Sequence, residues 1–365
     1  MKVPFSYLER QFNDIDPILA KIKELVQTAD FTLGKDLETF EHGFANICNT
    51  KHAIGVGTGT DALILSLKAL GIGPGDEVIT VPNTFYATVG AIDAVGAKPV
   101  FVDSNDFHVI NEDLIENAIT PKTKAILPVH LYGCPAYMPK ILEIAKNHNL
   151  KVVEDSCQAI SAEIDGKRTG SFGDAGGFSL HPLKNLNVWG DGGIIVTNSD
   201  ELNDKLRKIR NHGLVNRDEC EFWGINCRLD SLQAVVGNHL MKDTDFITNE
   251  RIKNAQFYDS ELSTIPQITI PMRRLNVRHV FHTYVVKAER RDELLNFLIE
   301  NGVEAKVHYP IPMHLQMAAK DLGYKKGDFP VAEAQSESII TLPHHQHLTA
   351  EEKEYVVTKI KEFYK

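Results

Sequence analysis

The sequence predicts an α/β protein, with a large domain on a mostly parallel sheet and a smaller α+β domain after it. Short apolar strands alternate with helical stretches through the first half of the chain, the pattern of a sheet covered on both faces. Those strands are near-continuously apolar rather than alternating, as strands buried on two sides are. After about residue 240 a long, charged helical stretch begins and the character changes. The domains are therefore expected over 1–240 and 241–365.

Each element has a local reason. Ile15, Ile18, Leu19, Ile22, Leu25 and Val26 place one apolar stripe on a helix over 14–27. Residues 52–56 read as a short strand. Thr60-Asp61 occupies a cap position ahead of a helix through Leu63, Leu65, Leu67 and Leu70, which the glycines at 71–75 end. A strand over 77–81 and a helix over 85–95 follow. Strands are expected over 98–103 and 124–130, with a helical stretch starting near Glu112 between them. A helix over 139–149 leads to a strand over 151–155 that ends in acid. Strands over 175–180 and 193–197 complete this region. Beyond it come a helix over 240–262, a strand over 284–288, and helices over 291–301 and 350–364.

Composition narrows the function. Against 39 Lys and Arg stand 49 Asp and Glu in 365 residues, a net charge of −10. Nucleic-acid binding needs a basic surface, so no such partner is expected. No apolar run is long enough to span a membrane, and Met1 to Tyr7 show no secretory signal. Cys48, Cys134, Cys157, Cys220 and Cys227 are odd in number and scattered, which reads as reduced thiols in a cytoplasm. No Cys/His spacing matches a zinc site, so no metal is expected. His344, His345 and His347 are expected in a solvated Pro-His-His-Gln-His loop. Trp189 and Trp223 either line a pocket or pack at an interface.

Three loops follow predicted strands, where ligands bind in open parallel sheets. Gly55-Val-Gly-Thr-Gly-Thr-Asp-Ala62 is either a plain glycine-rich turn or an anion cradle at a helix N-terminus. It is neither a Walker A loop nor a dinucleotide fingerprint. Asp155, in Val153-Glu-Asp-Ser-Cys-Gln158, either caps its strand or meets a cation, such as a metal or a protonated ring nitrogen. Lys184 lies between two predicted buried strands, five residues after Ser179. A lone lysine is ordinarily a solvated charge. One poised near a carboxylate and an anion cradle can instead form a Schiff base with an aldehyde cofactor.

Taken in order, Gly59-Thr-Asp-Ala-Leu63, Thr84-Phe85, Glu154-Asp155-x-x-Gln158, Phe178-Ser-x-His-Pro-x-Lys-Asn185, Gly190-Asp-Gly-Gly193 and Gly224-x-Asn226-x-Arg-Leu229 resemble the sugar aminotransferases of the DegT/DnrJ/EryC1/StrS family. The likeness runs from Val3 to about Lys365. It implies the aspartate-aminotransferase architecture (fold type I) and pyridoxal 5'-phosphate as cofactor. Lys184 is implied to hold the cofactor covalently and then shuttle a proton, and Asp155 to pair with its ring nitrogen. By the same likeness Gln158 contacts the ring's 3-oxygen and Phe85 stacks on the ring. Gly59, Thr60 and Ser179 bind the phosphate. Asn226 reaches the neighbouring subunit's cofactor, which implies a homodimer with both active sites at its interface.

The donor implied is L-glutamate and the acceptor a keto- or aldehyde-sugar. The stretch 181–193 resembles the transaminase that makes 8-amino-3,8-dideoxy-manno-octulosonate for lipopolysaccharide, whose acceptor carries no nucleotide. Nucleotide-linked (dTDP or UDP) 3- or 4-keto-sugars are the alternative acceptors. Two other classes stay open: a pyridoxamine-dependent sugar dehydratase, in which histidine replaces the lysine, and a non-catalytic regulatory homologue. Roles for His181, Arg228, His308 and His314 are left open, with Arg228 either a carboxylate anchor or a salt-bridge partner.

Overall fold

A seven-stranded sheet organises the first two hundred residues of the computed structural model, which describes residues 1–365. Its strands are β1 (His52–Val56), β2 (Glu77–Thr80), β3 (Lys98–Phe101), β4 (Thr123–Ile126), β5 (Lys151–Asp155), β6 (Ala175–Ser179) and β7 (Gly193–Thr197). Their order is β1-β7-β6-β5-β4-β2-β3, and all neighbours are parallel except those of β7, which runs antiparallel to both β1 and β6. Except for the edge strand β3, where only Pro99 and Phe101 are buried, each of these strands is buried over most of its length, as their apolar runs require.

Helices cover both faces. They include α1 (Asp16–Thr28), α2 (Lys35–Cys48), α3 (Gly59–Ala69), α4 (Tyr86–Ala94), α5 (Met138–Asn147), α6 (Asp200–Ile209) and α7 (Ser231–Leu240). On one side Phe40, Phe44 and Phe178 are fully buried with Leu180, Ile194 and Val235. Burying each such aromatic stabilises the fold by roughly 1.5–3 kcal/mol.

A second core forms around α8 (Thr244–Leu262) and a three-stranded antiparallel sheet, β8 (Ile268–Thr269), β9 (Tyr284–Ala288) and β10 (Ile339–Leu342). Helices α9 (Arg291–Glu300) and α11 (Ala350–Phe363) pack on it, and α10 (Pro330–Ser338) leads into β10. The chain's start belongs here too: Val3 is fully buried in this core and bridges Val303 in parallel. No helix is long and apolar enough to cross a membrane.

Several local expectations are corrected. The cap of α3 is Thr58, not Thr60-Asp61: its hydroxyl accepts from the Asp61 amide, and the helix begins at Gly59. The stretch from Glu112 forms two short 3-10 turns, Glu112–Leu114 and Glu116–Ala118, where Asn111 accepts the Asp113 amide. His344, His345 and Gln346 are buried rather than solvated. Side chains of α8 hold their backbone: Arg251 donates to the His344 carbonyl at 3.0 Å, Asn254 to that of His345 at 2.9 Å, and Tyr258 to that of Pro343 at 3.0 Å. Backbone carbonyls, rather than side-chain hydropathy, bind this segment inside.

Candidate active site

The C-terminal ends of β1, β5 and β6 open onto one cavity of about 560 Å³. Its wall includes Gly59, Thr60, Phe85, Asp155, Gln158, Ser179 and Lys184, so seven of the eight expected cofactor residues meet there. Asn226 does not line it and is exposed on its own chain.

At one end stands the N-terminus of α3. The amides of Gly59 and Thr60 have no carbonyl four residues back inside the helix, and the helix dipole adds partial positive charge. Space here requires glycine: a Cβ on Gly59 would lie 2.7 Å from the Ser179 Cβ and 3.0 Å from the Cys157 sulfur. Gly193 is needed for a similar reason, since a Cβ there would fall 2.1 Å from the Thr58 carbonyl oxygen. With the hydroxyls of Thr60 and Ser179 on the same wall, this end suits an anion.

Asp155 closes β5. Its Oδ2 accepts from Thr88 Oγ1 at 2.7 Å and its Oδ1 from the Cys157 amide at 3.2 Å, which fixes the direction of a buried carboxylate. Gln158 is fixed as well: its Oε1 accepts the Tyr132 amide at 2.7 Å and its Nε2 donates to the Tyr309 hydroxyl at 3.2 Å. Phe85 caps α4 and is 48% exposed, its ring 5.3 Å from that of Tyr86 and 5.7 Å from that of Tyr309.

Lys184 is held by its backbone. Tyr7 Oη and Asn187 Nδ2 both donate to its carbonyl, at 2.8 and 2.9 Å, while its amine has no hydrogen-bond partner. Burial lowers the pKa of that amine, and the nearby Cys157 and Asp155 only partly oppose the shift. The neutral, nucleophilic form is therefore more accessible than in a solvated lysine. His181 and His308 also line the cavity. Burial lowers both pKa values, with Lys184 adding repulsion, and His308 falls to about 4.

Other candidates lie elsewhere. Arg228 is outside the cavity and donates to Asn211 Oδ1 at 3.3 Å. His314 is buried against Glu333, with Nε2 and Oε1 2.9 Å apart. Trp189 packs edge-on against Phe12, and Trp223 is 89% exposed. Sequence reasoning missed Thr88, His282 and Tyr7, and reached Tyr309 only within the segment 308–314, which resembles a family segment near the substrate. Thr88 sits one helical turn after Thr84, a spacing that gave a signal, but Tyr7 and Tyr309 arrive from opposite ends of the chain.

An unpaired amine, a fixed carboxylate, an exposed aromatic and an anion cradle around one cavity fit pyridoxal 5'-phosphate. The family model for DegT/DnrJ/EryC1/StrS aminotransferases matches residues 13–361. A pleiotropic regulatory protein of Geobacillus stearothermophilus is 43% identical over 100% of this chain and 99% of its own. A dTDP-3-amino-3,4,6-trideoxy-alpha-D-glucose transaminase of Streptomyces venezuelae is 39% identical over 99% of this chain and 96% of its own. A UDP-N-acetyl-3-dehydro-alpha-D-glucosamine 3-aminotransferase of Acidithiobacillus ferrooxidans is 40% identical over 98% and 97%. Among solved structures, S. venezuelae DesV in complex with a ketimine intermediate superposes with a TM-score of 0.97 at 39% identity, covering 100% of this chain and 99% of that one. NtdA of Bacillus subtilis with bound cofactor PMP gives 0.92 at 35% identity, over 99% and 85%. The chain belongs to the DegT/DnrJ/EryC1/StrS aminotransferase family and is a pyridoxal 5'-phosphate-dependent sugar aminotransferase.

Proposed function

We propose that the protein moves an amino group from L-glutamate to the 3-keto carbon of a nucleotide-linked sugar. One observation carries the transfer chemistry: the Lys184 amine is buried, unpaired and in the same cavity as the Asp155 carboxylate. The S. venezuelae and A. ferrooxidans relatives are named for nitrogen at carbon 3 of a dTDP- or UDP-linked sugar, which supports the choice of acceptor.

In this reading the cofactor, when bound, supplies an electron sink for the carbanion at the donor's Cα. Lys184 would hold it and, when freed by the donor amine, would be the base that takes the donor's Cα proton and the acid that gives it back. Asp155 would pair with the ring nitrogen, Gln158 would orient the ring through its 3-oxygen, and Phe85 would stack on its face. Gly59, Thr60 and Ser179 hold the phosphate. Asn226 serves the partner's site in a homodimer. Its own-chain exposure, beside exposed Val215, Trp223 and Ile225, supports an interface there. We place the enzyme in the cytoplasm, in keeping with five unpaired cysteines.

The likeness of residues 181–193 favours a second acceptor, the octulosonate aldehyde of lipopolysaccharide assembly. Intact Lys184 speaks against a dehydratase, and Lys184 with Asp155 in one cavity speaks against a purely regulatory protein, despite the Geobacillus relative's name. The test supplies glutamate with UDP- and dTDP-linked 3-keto-sugars or with the octulosonate aldehyde, and measures 2-oxoglutarate. Release is expected with a nucleotide-linked 3-keto-sugar. Release with the octulosonate alone overturns the reading.

A further inference from the structure

Arg251 is a cation buried without an anion. It is 1% exposed on α8, between the two cores, and no carboxylate acts on it. Its Nε donates to Gln346 Oε1 at 3.1 Å, and its Nη1 to the carbonyls of His282 and His344 at 2.9 and 3.0 Å. Its plane covers the Tyr7 ring at 5.1 Å. Nη2 has no acceptor in hydrogen-bonding geometry, and the Tyr7 hydroxyl is the polar neighbour that favours its charge. A guanidinium keeps its proton inside a protein, so a buried one with an unmet N–H and no counter-ion is costly.

Arg251 lines a second cavity of about 80 Å³. Thr283 lines it too, and its buried hydroxyl also lacks a partner. Tyr309 accepts from Gln158 and so keeps its own proton to donate. No Asp or Glu is on the wall. His344 donates Nε2–H to the Arg251 carbonyl at 2.8 Å, which leaves Nδ1 a bare acceptor suited to a water. The volume holds several waters, or a carboxylate with neighbouring methylenes. Gln158, Leu183, His282, His308 and Tyr309 line both this cavity and the one holding Lys184, whose own wall contains no arginine.

We propose that Arg251, with Thr283 and Tyr309, forms the subsite for the distal carboxylate of a dicarboxylic amino donor. This rests on the transamination reading above and deepens it. The small cavity becomes the element that selects a donor with a second carboxylate, and Arg251 is a specificity residue remote from the reacting atoms.

Glutarate, the donor skeleton without its amine, is the probe, and butyrate, with one carboxylate, is its control. Calorimetry on the cofactor-loaded enzyme is expected to show glutarate preferred. That preference should fall roughly tenfold to a hundredfold in Arg251→Met, the loss expected for a hydrogen bond to a charged group, and several-fold in Thr283→Val. Thr283→Val leaves every carbonyl contact of Arg251 in place, so it reports even where Arg251→Met does not fold. A glutarate preference unchanged in Thr283→Val, and in Arg251→Met where it folds, overturns the proposal. Chloride and formate form a separate arm. If they bind in an Arg251-dependent way and glutarate does not displace them, the cavity holds a free anion and the donor subsite is overturned. Because glutarate does not react, absence of amine transfer to any sugar would refute the proposed function while leaving this result readable.

Discussion

Thr88 Oγ1 donates to Asp155 Oδ2 across 2.7 Å, and both side chains are buried. Thr84 Oγ1 lies 2.7 Å from Thr88 Oγ1, and since the single proton of Thr88 goes to the carboxylate, Thr84 donates to Thr88. A relay of hydroxyls at the start of α4 thus aims the acid that ends β5. Thr88→Val keeps the shape and removes the donor. It should lower kcat by roughly tenfold to a hundredfold, the loss of one hydrogen bond to a charged group, with cofactor content unchanged. Thr88→Ser should restore it. Steady-state rates with cofactor absorbance check this, and an unchanged kcat in Thr88→Val shows that the relay is dispensable.

Asp155→Asn removes the charge but keeps the shape. The variant should retain much of its cofactor yet lose about 3 kcal/mol of transition-state stabilisation, as other electrostatic deletions do. Single-turnover rates with glutamate measure the loss. Normal turnover would refute the proposed pairing with the ring nitrogen.

Asn226 offers a test of subunit sharing. Asn226→Ala and Lys184→Ala should each impair the enzyme when pure. In mixed dimers, a chain with intact Lys184 faces a partner with intact Asn226, and activity should return on mixing. If mixtures stay as inactive as the separate variants, Asn226 does not act across an interface.

Acid should destabilise the fold before its carboxylates titrate. Burial holds His108 and His308 at about 4, and His279 and His345 at about 3, against an ordinary value of 6.5. Between pH 6.5 and 5 the unfolded chain takes up protons at these sites and the folded chain does not, so stability falls as pH falls. Urea midpoints at pH 7, 6 and 5 should decline. His345→Asn should flatten the slope, because its Oδ1 can still accept the His347 amide that Nδ1 now accepts at 3.3 Å. A pH-independent midpoint contradicts the assigned burial.

Residues that act through local geometry were legible in the sequence. Strands β1, β5 and β7 fall where their apolar runs predict, and the ends of β5 and β6 with the turn after β1 bring Asp155, Ser179 and Gly59 to one cavity. Helix α6 was not read. Its Leu202, Leu206 and Ile209 are buried, but charge dominates the ten residues around them. The solvated reading of His344 to Gln346 failed because their polar side chains hid the role of their carbonyls, which Arg251 and Asn254 bind from α8. Tyr7 and His282 reach the site only through tertiary packing, and no local spacing announces them.

Covalent attachment at Lys184 is the central claim, and reduction tests it directly. Borohydride treatment of the cofactor-loaded enzyme, followed by peptide mass mapping, should find a pyridoxyl group on the Lys184 peptide and none in Lys184→Ala. A pyridoxyl group on another lysine, or on none, would contradict the account.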